Sequence, residues 1–364
     1  MVDSPANGLP PRNRACHSFS LIEMLVALTI FAVILVIVAQ VISQTERAWK
    51  FSSDKIQAFQ GARIAFDTMY RTLGESTLNN YYDYYNASYV PFTTYAATNT
   101  ATINTFVPAY YGRNSDLHFI SGKALVTLPR TPVTQSVFFQ TPISYTATST
   151  SYGNMNSLLN AVGFYIDFNS DQTAWPSFFT SLSPQAAPRY RYRLMEFLQP
   201  TEQMTVYSST SGNAWFTAPV QATSPSVYVL AENIIACVVC PHLPGEMIPG
   251  SSTTGTALIP QNNYEYDSRV ASTPWTSGAQ PVQMHQLPPL VRLVLIAVDE
   301  TSMIQIMGTS TSQPNLGFSY SSVFQNPANL TTDIATVSAA LTAKHLNSRV
   351  FQTDVPIRGA NWSQ

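Results

Sequence analysis

The sequence His17-Ser18-Phe19-Ser20-Leu21-Ile22-Glu23-Met24-Leu25 joins a polar, basic leader to a long apolar run that holds a single acid, and the organisation of the chain follows from that junction. From Met24 to Thr45 no residue is ionisable. About 22 such residues, rising about 1.5 Å each in a helix, are enough to cross the hydrocarbon core of a bilayer. Glu23 stands at the head of this run. An acid at that depth costs about 2.5 to 3.5 kcal/mol on insertion scales, so it calls for a cationic partner.

A signal peptide or plain signal anchor has the same positive flank and apolar core. A secretory apolar region, however, is about 7 to 15 residues long and ends at a small-residue cleavage site. Here the run is longer, Ala39-Gln40-Val41 is a poor cleavage site, and Glu23 interrupts it. Arg12 and Arg14 precede the run with no acid before Glu23. The bias of positive charge toward the cytoplasmic side then places the N-terminus inside and everything after Val41 outside.

Ser18-Phe19-Ser20-Leu21-Ile22-Glu23-Met24-Leu25-Val26-Ala27-Leu28 resembles the processing site of type IV prepilins and type II secretion pseudopilins. In that family a dedicated peptidase cuts before an aromatic residue and methylates the new amine. The resemblance implies cleavage between Ser18 and Phe19, with Ser18 and Ser20 standing where the family has Gly and Thr. It also gives Glu23 its partner, the freed amine of Phe19 on its own or a neighbouring subunit. Opposite charges attract more strongly in a low dielectric. The implied product is a structural subunit of a pilus or a secretion pseudopilus. Its implied partners are other pilins or pseudopilins, the prepilin peptidase and the inner-membrane assembly platform. The competing reading is a membrane-anchored extracytoplasmic binding or adhesion protein that never polymerises.

Past Thr45 the pattern becomes amphipathic. Ile56, Phe59, Ala62, Phe66, Met69 and Leu73 recur at spacings of three and four, one face of a helix. Glu46, Lys50 and Asp54, then Arg63, Asp67 and Arg71, form charge ladders of alternating sign on the other side. One helix is expected from about Phe19 to about Leu78. Ala62-Arg63-Ile64-Ala65-Phe66-Asp67-Thr68-Met69-Tyr70-Arg71-Thr72-Leu73 resembles a signature of the minor pseudopilin J type, which makes Arg63, Asp67 and Arg71 candidates for subunit contact beside their plain reading as a solvated face. Leu78-Asn79-Asn80-Tyr81-Tyr82-Asp83-Tyr84 is also similar to pilin-like proteins encoded in small cassettes of verrucomicrobial bacteria.

The remainder reads as short strands between Gly, Pro, Asn and Ser clusters: 116–120, 137–139, 163–168, 190–197, 227–230, 234–239, 291–299 and 351–357, with a helix at 331–346. Pro288-Pro289-Leu290-Val291-Arg292 opens the most apolar of these and again resembles the J type. The tyrosines of 81–85 read as a packing corner rather than a carbohydrate platform. The fold class is therefore α+β, a long N-terminal helix and a β-rich extracytoplasmic domain. The expected boundaries are a leader at 1–18, a membrane half of the helix at 19–45, an amphipathic half at 46–78 and a globular domain at 79–364.

Only 10% of the 364 residues are charged and the net charge is −2, so no basic field exists to gather nucleic acid. No Gly-x-Ser-x-Gly elbow, phosphate-cradling glycine loop or His-Glu-x-x-His pair occurs, and a non-enzymatic protein without a cofactor is expected. His118, His242, His285 and His345 read as surface or core residues. Asp167-Phe168-Asn169-Ser170-Asp171-Gln172 carries the alternating oxygens of a calcium loop. It lacks the sixth-position Gly and has Phe178 where a bidentate acid belongs, so a strand-end turn competes with calcium for Asp167, Asn169 and Asp171. Cys16 falls in the leader. Cys237 and Cys240 sit on a strand pattern, which leaves buried thiols, a strand-end disulfide or metal ligation open, the first being the expected state.

Overall fold

The computed structural model describes residues 21–126, 134–148, 155, 157–176, 178–179, 187–207, 212–222, 226–244, 258–269, 275 and 280–360. The chain divides into two compact units after Ile56. The described part of the first is formed by helix α1, Leu21–Ala58, whose last two residues fall in the second. The second opens with α2, Gln60–Gly74. The expected continuous helix is thus split at Phe59, whose φ of −107° and ψ of 3° leave the helical well, and it stops at Gly74 rather than near Leu78.

The stop has a polar cause. Past Gly74 the backbone bonds elsewhere: Thr77 N donates to Gln140 O at 3.0 Å and Arg358 N to Gly74 O at 3.0 Å. On α2, Ala62, Ala65, Met69 and Leu73 are buried with Phe59 just before them, and Phe66 is partly buried against the same core. That is the expected face, and fully burying each large apolar side chain is worth about 1.5 to 3 kcal/mol. Ile56, Lys50 and Asp54 lie outside the described side chains.

Twelve strands follow among the described residues: β1 Tyr81–Tyr85, β2 Tyr110–Asn114, β3 Ile120–Lys123, β4 Gln135–Pro142, β5 Leu159–Ser170, β6 Tyr190–Gln199, β7 Val227–Glu232, β8 Ile234–Pro244, β9 Leu258–Pro260, β10 Tyr266–Asp267, β11 Leu290–Val298 and β12 Ser348–Pro356. Short helices α3, Phe92–Thr98, α4, Ala214–Val220, and α5, Glu300–Met307, precede α6, Leu330–Ala343. One sheet runs β10-β3-β4-β5-β6-β7, a second runs β12-β11-β8-β9, and β1-β2 form a ribbon. All pairings are antiparallel.

Asn233 alone separates β7 from β8 and carries the chain from one sheet to the other. Its φ of +60° is a left-handed conformation that Asn tolerates, and its N–H reaches Tyr192 O at 2.6 Å. Every residue of β8 is buried, as its unbroken apolar run requires. The main core lies between the two sheets, where Val137, Phe139, Val162, Phe164 and Ile166 meet Ile235, Val239, Leu293 and Leu295. The alternate residues Phe138, Ala161, Tyr165 and Phe197 point to the other face of the large sheet, under Trp215, Phe216 and Val220 of α4.

Strand β3 begins at Ile120, four residues after the expected Asp116, because Asn79 Oδ1 takes the N–H groups of Asp116 and Leu117 at 3.0 and 3.1 Å and keeps them out of a ladder. Between β4 and β5, the ring of Phe138 lies where a side chain on Gly163 would be, with Cδ1 2.0 Å from an ideal Cβ. Gly163→Ala should therefore destabilise the fold by about 1 to 3 kcal/mol or more through overpacking. Gly61→Ala, on exposed helix surface with nothing within 4 Å, should stabilise by up to about 1 kcal/mol. Urea titration of the two variants beside the parent chain checks the opposite signs.

Candidate functional site

Helix α1 is apolar and exposed from Leu21 to Glu46, 26 residues that span about 39 Å at about 1.5 Å each. Two of its hydroxyls are satisfied locally: Thr29 Oγ1 donates to Val26 O and Thr45 Oγ1 to Val41 O, both at 2.8 Å. Such back-bonding lets a hydroxyl reside in lipid without a stray donor. Glu23 lies on this helix and is exposed on the single chain. Ser18 and Phe19, the expected cleavage and methylation positions, lie outside the described residues, as do the leader and Cys16.

Arg63, Asp67 and Arg71 share the exposed side of α2 with Ile64, which is 56% exposed. Among the described residues the three form no ion pair, so the expected charge ladder is a row of solvated groups rather than linked ones.

The calcium candidates are placed by strand geometry. Asp167 and Asn169 lie on β5, two residues apart and so on one face, with Asn169 Nδ2 donating to Asp167 Oδ2 at 2.8 Å. Asn169 Oδ1 accepts from the buried Arg193. Asp171, beyond the strand, accepts from Arg189 N at 2.8 Å and from Arg189 Nε at 3.2 Å. Those bonds and the Arg189 charge outweigh burial and hold its carboxyl below the usual range. In this arrangement the oxygens serve arginines at a strand end.

Cys237 and Cys240 are free and buried on β8, and desolvation pushes both thiols up to about 12. A protonated, enclosed thiol is neither a nucleophile nor a ready metal ligand.

The structure also assembles a polar chain that no local pattern announces. His118 is 1% exposed; its Nδ1 accepts from Trp215 Nε1 at 3.0 Å and its Nε2 lies 2.8 Å from Asp267 Oδ1. Because indole only donates, Nδ1 is the bare nitrogen and Nε2 carries the proton toward Asp267. Burial lowers the pKa of His118, which stays neutral, while the His118 bond overcomes desolvation and keeps Asp267 below the usual carboxylate range. His285 is 8% exposed and burial, with Arg269 and Arg113 nearby, lowers it to about 4. His242 is buried and His345 is exposed.

Neutral buried histidines give a pH dependence of definite sign. Below the ordinary histidine value of about 6.5 the unfolded chain binds protons that the folded chain refuses, so stability falls as pH falls. His285 alone should cost about 2 kcal/mol between pH 7.5 and pH 5, the loss levelling off near pH 4. Denaturation midpoints at pH 7.5, 6 and 5 measure it, and His285→Gln should remove about 2 kcal/mol of the change, the remainder belonging to the buried His118 and His242; a flat profile in the parent chain would contradict the assignment.

Residues 13–39 match the family model of the prokaryotic N-terminal methylation motif, a match confined to the head of the chain. No curated protein and no solved structure matches the chain. The motif, most of which lies in the exposed apolar helix Leu21–Glu46 ahead of a β-rich domain, supports a type IV pilin-like protein and fits a single-pass membrane anchor.

Proposed function

We propose that this chain is a non-enzymatic structural subunit, a minor pilin or pseudopilin, that prepilin peptidase cuts between Ser18 and Phe19 and methylates on the new amine. The observation that carries the reading is the methylation motif at 13–39, which overlaps the first half of the exposed apolar helix Leu21–Glu46. Such a helix, bare on the single chain, has two environments that cover it: lipid before assembly and other apolar helices afterwards.

Cleavage supplies what the acid lacks in lipid. The amine of Phe19 would stand four residues before Glu23, one helical turn away, on its own subunit, or reach the Glu23 of a neighbour. Two unit charges about 4 Å apart at an effective dielectric of about 20 attract by about 4 kcal/mol, enough to offset the cost of the acid at that depth. The domain from 79 to 364 then faces away from the cytoplasm, in keeping with Arg12 and Arg14 ahead of the helix. Arg63, Asp67 and Arg71 would contact neighbouring subunits. The resemblance of 62–73 to the J type favours a minor subunit with other pilin-like chains and an inner-membrane platform as partners.

Affinity recovery of the tagged chain from native membranes tests the partners. Other chains with prepilin heads should co-purify, and recovery of the chain alone under conditions that preserve membrane complexes would overturn the assembly role.

A further inference from the structure

We infer that the outer domain holds a binding site for a free α-amino acid in its zwitterionic form, in the cavity where the Arg269 guanidinium and the Asp116 carboxylate lie near each other without pairing. The cavity is about 560 Å³, within the range of small-ligand sites. Its walls come from five separated parts of the chain: the end of β1 with α3, the end of β2 with Asp116, the loop at Val206 and Tyr207, Arg269, and Met284 with His285. This inference stands apart from the assembly reading, since it concerns the globular unit and not the N-terminal head.

The cation is only partly spent. Arg269 Nη2 donates to the main-chain oxygens of Asp116 and Val206, the latter at 3.3 Å. Its Nε and Nη1 bond to nothing among the described residues, and neither is sealed from solvent. No carboxylate among the described residues lies within 4 Å of the guanidinium. Burial lowers its pKa, but a guanidinium stays charged in a protein, so the cavity holds a cation with donors to spare.

The anion is in the same condition. Asp116 is exposed, its Oδ2 accepts from Asn79 Nδ2 at 2.8 Å and its Oδ1 from Tyr81 OH at 3.1 Å, and no cation among the described residues lies within 4 Å of it. With one bond on each oxygen, both keep a lone pair for a further donor. Those bonds hold the carboxylate off the guanidinium, whose Nη2 is tied instead to the carbonyl of the same residue. The two charges are still close: the Asp116 charge offsets part of the burial effect on Arg269 and adds to the burial that raises the pKa of Tyr207 on the same wall.

The other acids nearby are used up and do not line the cavity. Asp83 is buried and accepts from Tyr84 N, Thr93 N and Thr93 Oγ1, while Asp267 accepts from His118 Nε2 and Arg269 N. The chemistry of the occupant follows from the two charges that remain. A simple anion drawn to Arg269 meets Asp116, and a simple amine drawn to Asp116 meets Arg269, so each single charge is opposed by the wall beside it. A molecule that carries a carboxylate and an ammonium on one carbon satisfies both at once, through charge-assisted hydrogen bonds at either end. That describes an α-amino acid. The rest of the cavity has room for its side chain, with Tyr207, 59% exposed, as one wall.

The test uses the full chain in an uncharged detergent. The protein amino acids are titrated one by one by calorimetry, with phosphoethanolamine as a zwitterion of lipid origin. For the amino acid that binds tightest, the same molecule without its amine and the same molecule without its carboxylate serve as single-charge counterparts. At least one amino acid should bind with Kd at or below about 1 mM, and each counterpart at least about tenfold more weakly. Asp116→Asn should abolish the preference over the molecule without the amine, and Arg269→Gln the preference over the molecule without the carboxylate, each with a loss of about tenfold or more for the amino acid itself. Urea midpoints identify the variants that remain folded, and Asp116→Asn, a change of equal size at an exposed position, keeps the test open if Arg269→Gln does not fold. No amino acid bound at about 10 mM, counterparts bound as tightly, phosphoethanolamine bound more tightly than every amino acid, or an unchanged affinity in folded Asp116→Asn would each overturn the inference.

Discussion

Glu23→Ala should leave the chain inserted in the membrane and cut its incorporation into a filament at least about tenfold. Removing a carboxylate from bilayer depth relieves a cost of about 2.5 to 3.5 kcal/mol, so insertion improves or stays unchanged. The same change deletes the partner of the Phe19 amine, which then enters an apolar helix bundle without a counter-charge. Losing even a third of a pairing worth about 4 kcal/mol is a tenfold effect on an assembly equilibrium. Glu23→Gln separates charge from size, since it keeps the shape and should fail as Ala does. Fractionation of membranes and sheared filaments from cells carrying each variant gives the ratio. Equal incorporation of Glu23→Ala and the parent would remove the electrostatic role.

Trp215→Ala should cost the outer domain about 3 to 5 kcal/mol from lost volume alone. The indole is fully buried on α4, packed edge-on against Phe216 at 5.0 Å, and its N–H is the donor that holds His118 Nδ1. Truncation also leaves that nitrogen buried and unpaired, a further cost of about 1 to 3 kcal/mol. Against a typical total of about 5 to 15 kcal/mol the variant stands near unfolding. Trp215→Phe restores most of the ring but not the donor, so its loss should be nearer the second figure than the sum. Urea unfolding of both variants measures the two costs, and an effect below about 1 kcal/mol for Trp215→Ala would contradict the packing described.

What was legible in the sequence was whatever depended on neighbours in the chain. The apolar runs of β8, β11 and β5 and the spacing of Ala62, Met69 and Leu73 are local signals of burial, and the elements lie where those signals fall. The Tyr81–Tyr85 run proved to be a strand of the ribbon β1-β2. Its even alternation puts Asp83 and Tyr85 inside and leaves Tyr82 and Tyr84 exposed against Tyr111, a pattern masked by the fact that tyrosine serves both faces. The break at Phe59 was hidden because an apolar residue there continues the helical spacing on either side. Least legible was the polar interior: Trp215 and Asp267 reach His118 across 97 and 149 residues. Only the tertiary fold brings them together, as it does the walls around His285.

The N-terminal head was readable for the opposite reason, because its chemistry is written in adjacent residues. The measurement that bears on it most directly is the intact mass and terminal peptide of the chain extracted from its native membrane. A chain beginning at N-methylated Phe19 is the predicted product; a chain that still begins at Met1 would mean that no amine is ever set beside Glu23, and the assembly account would fall.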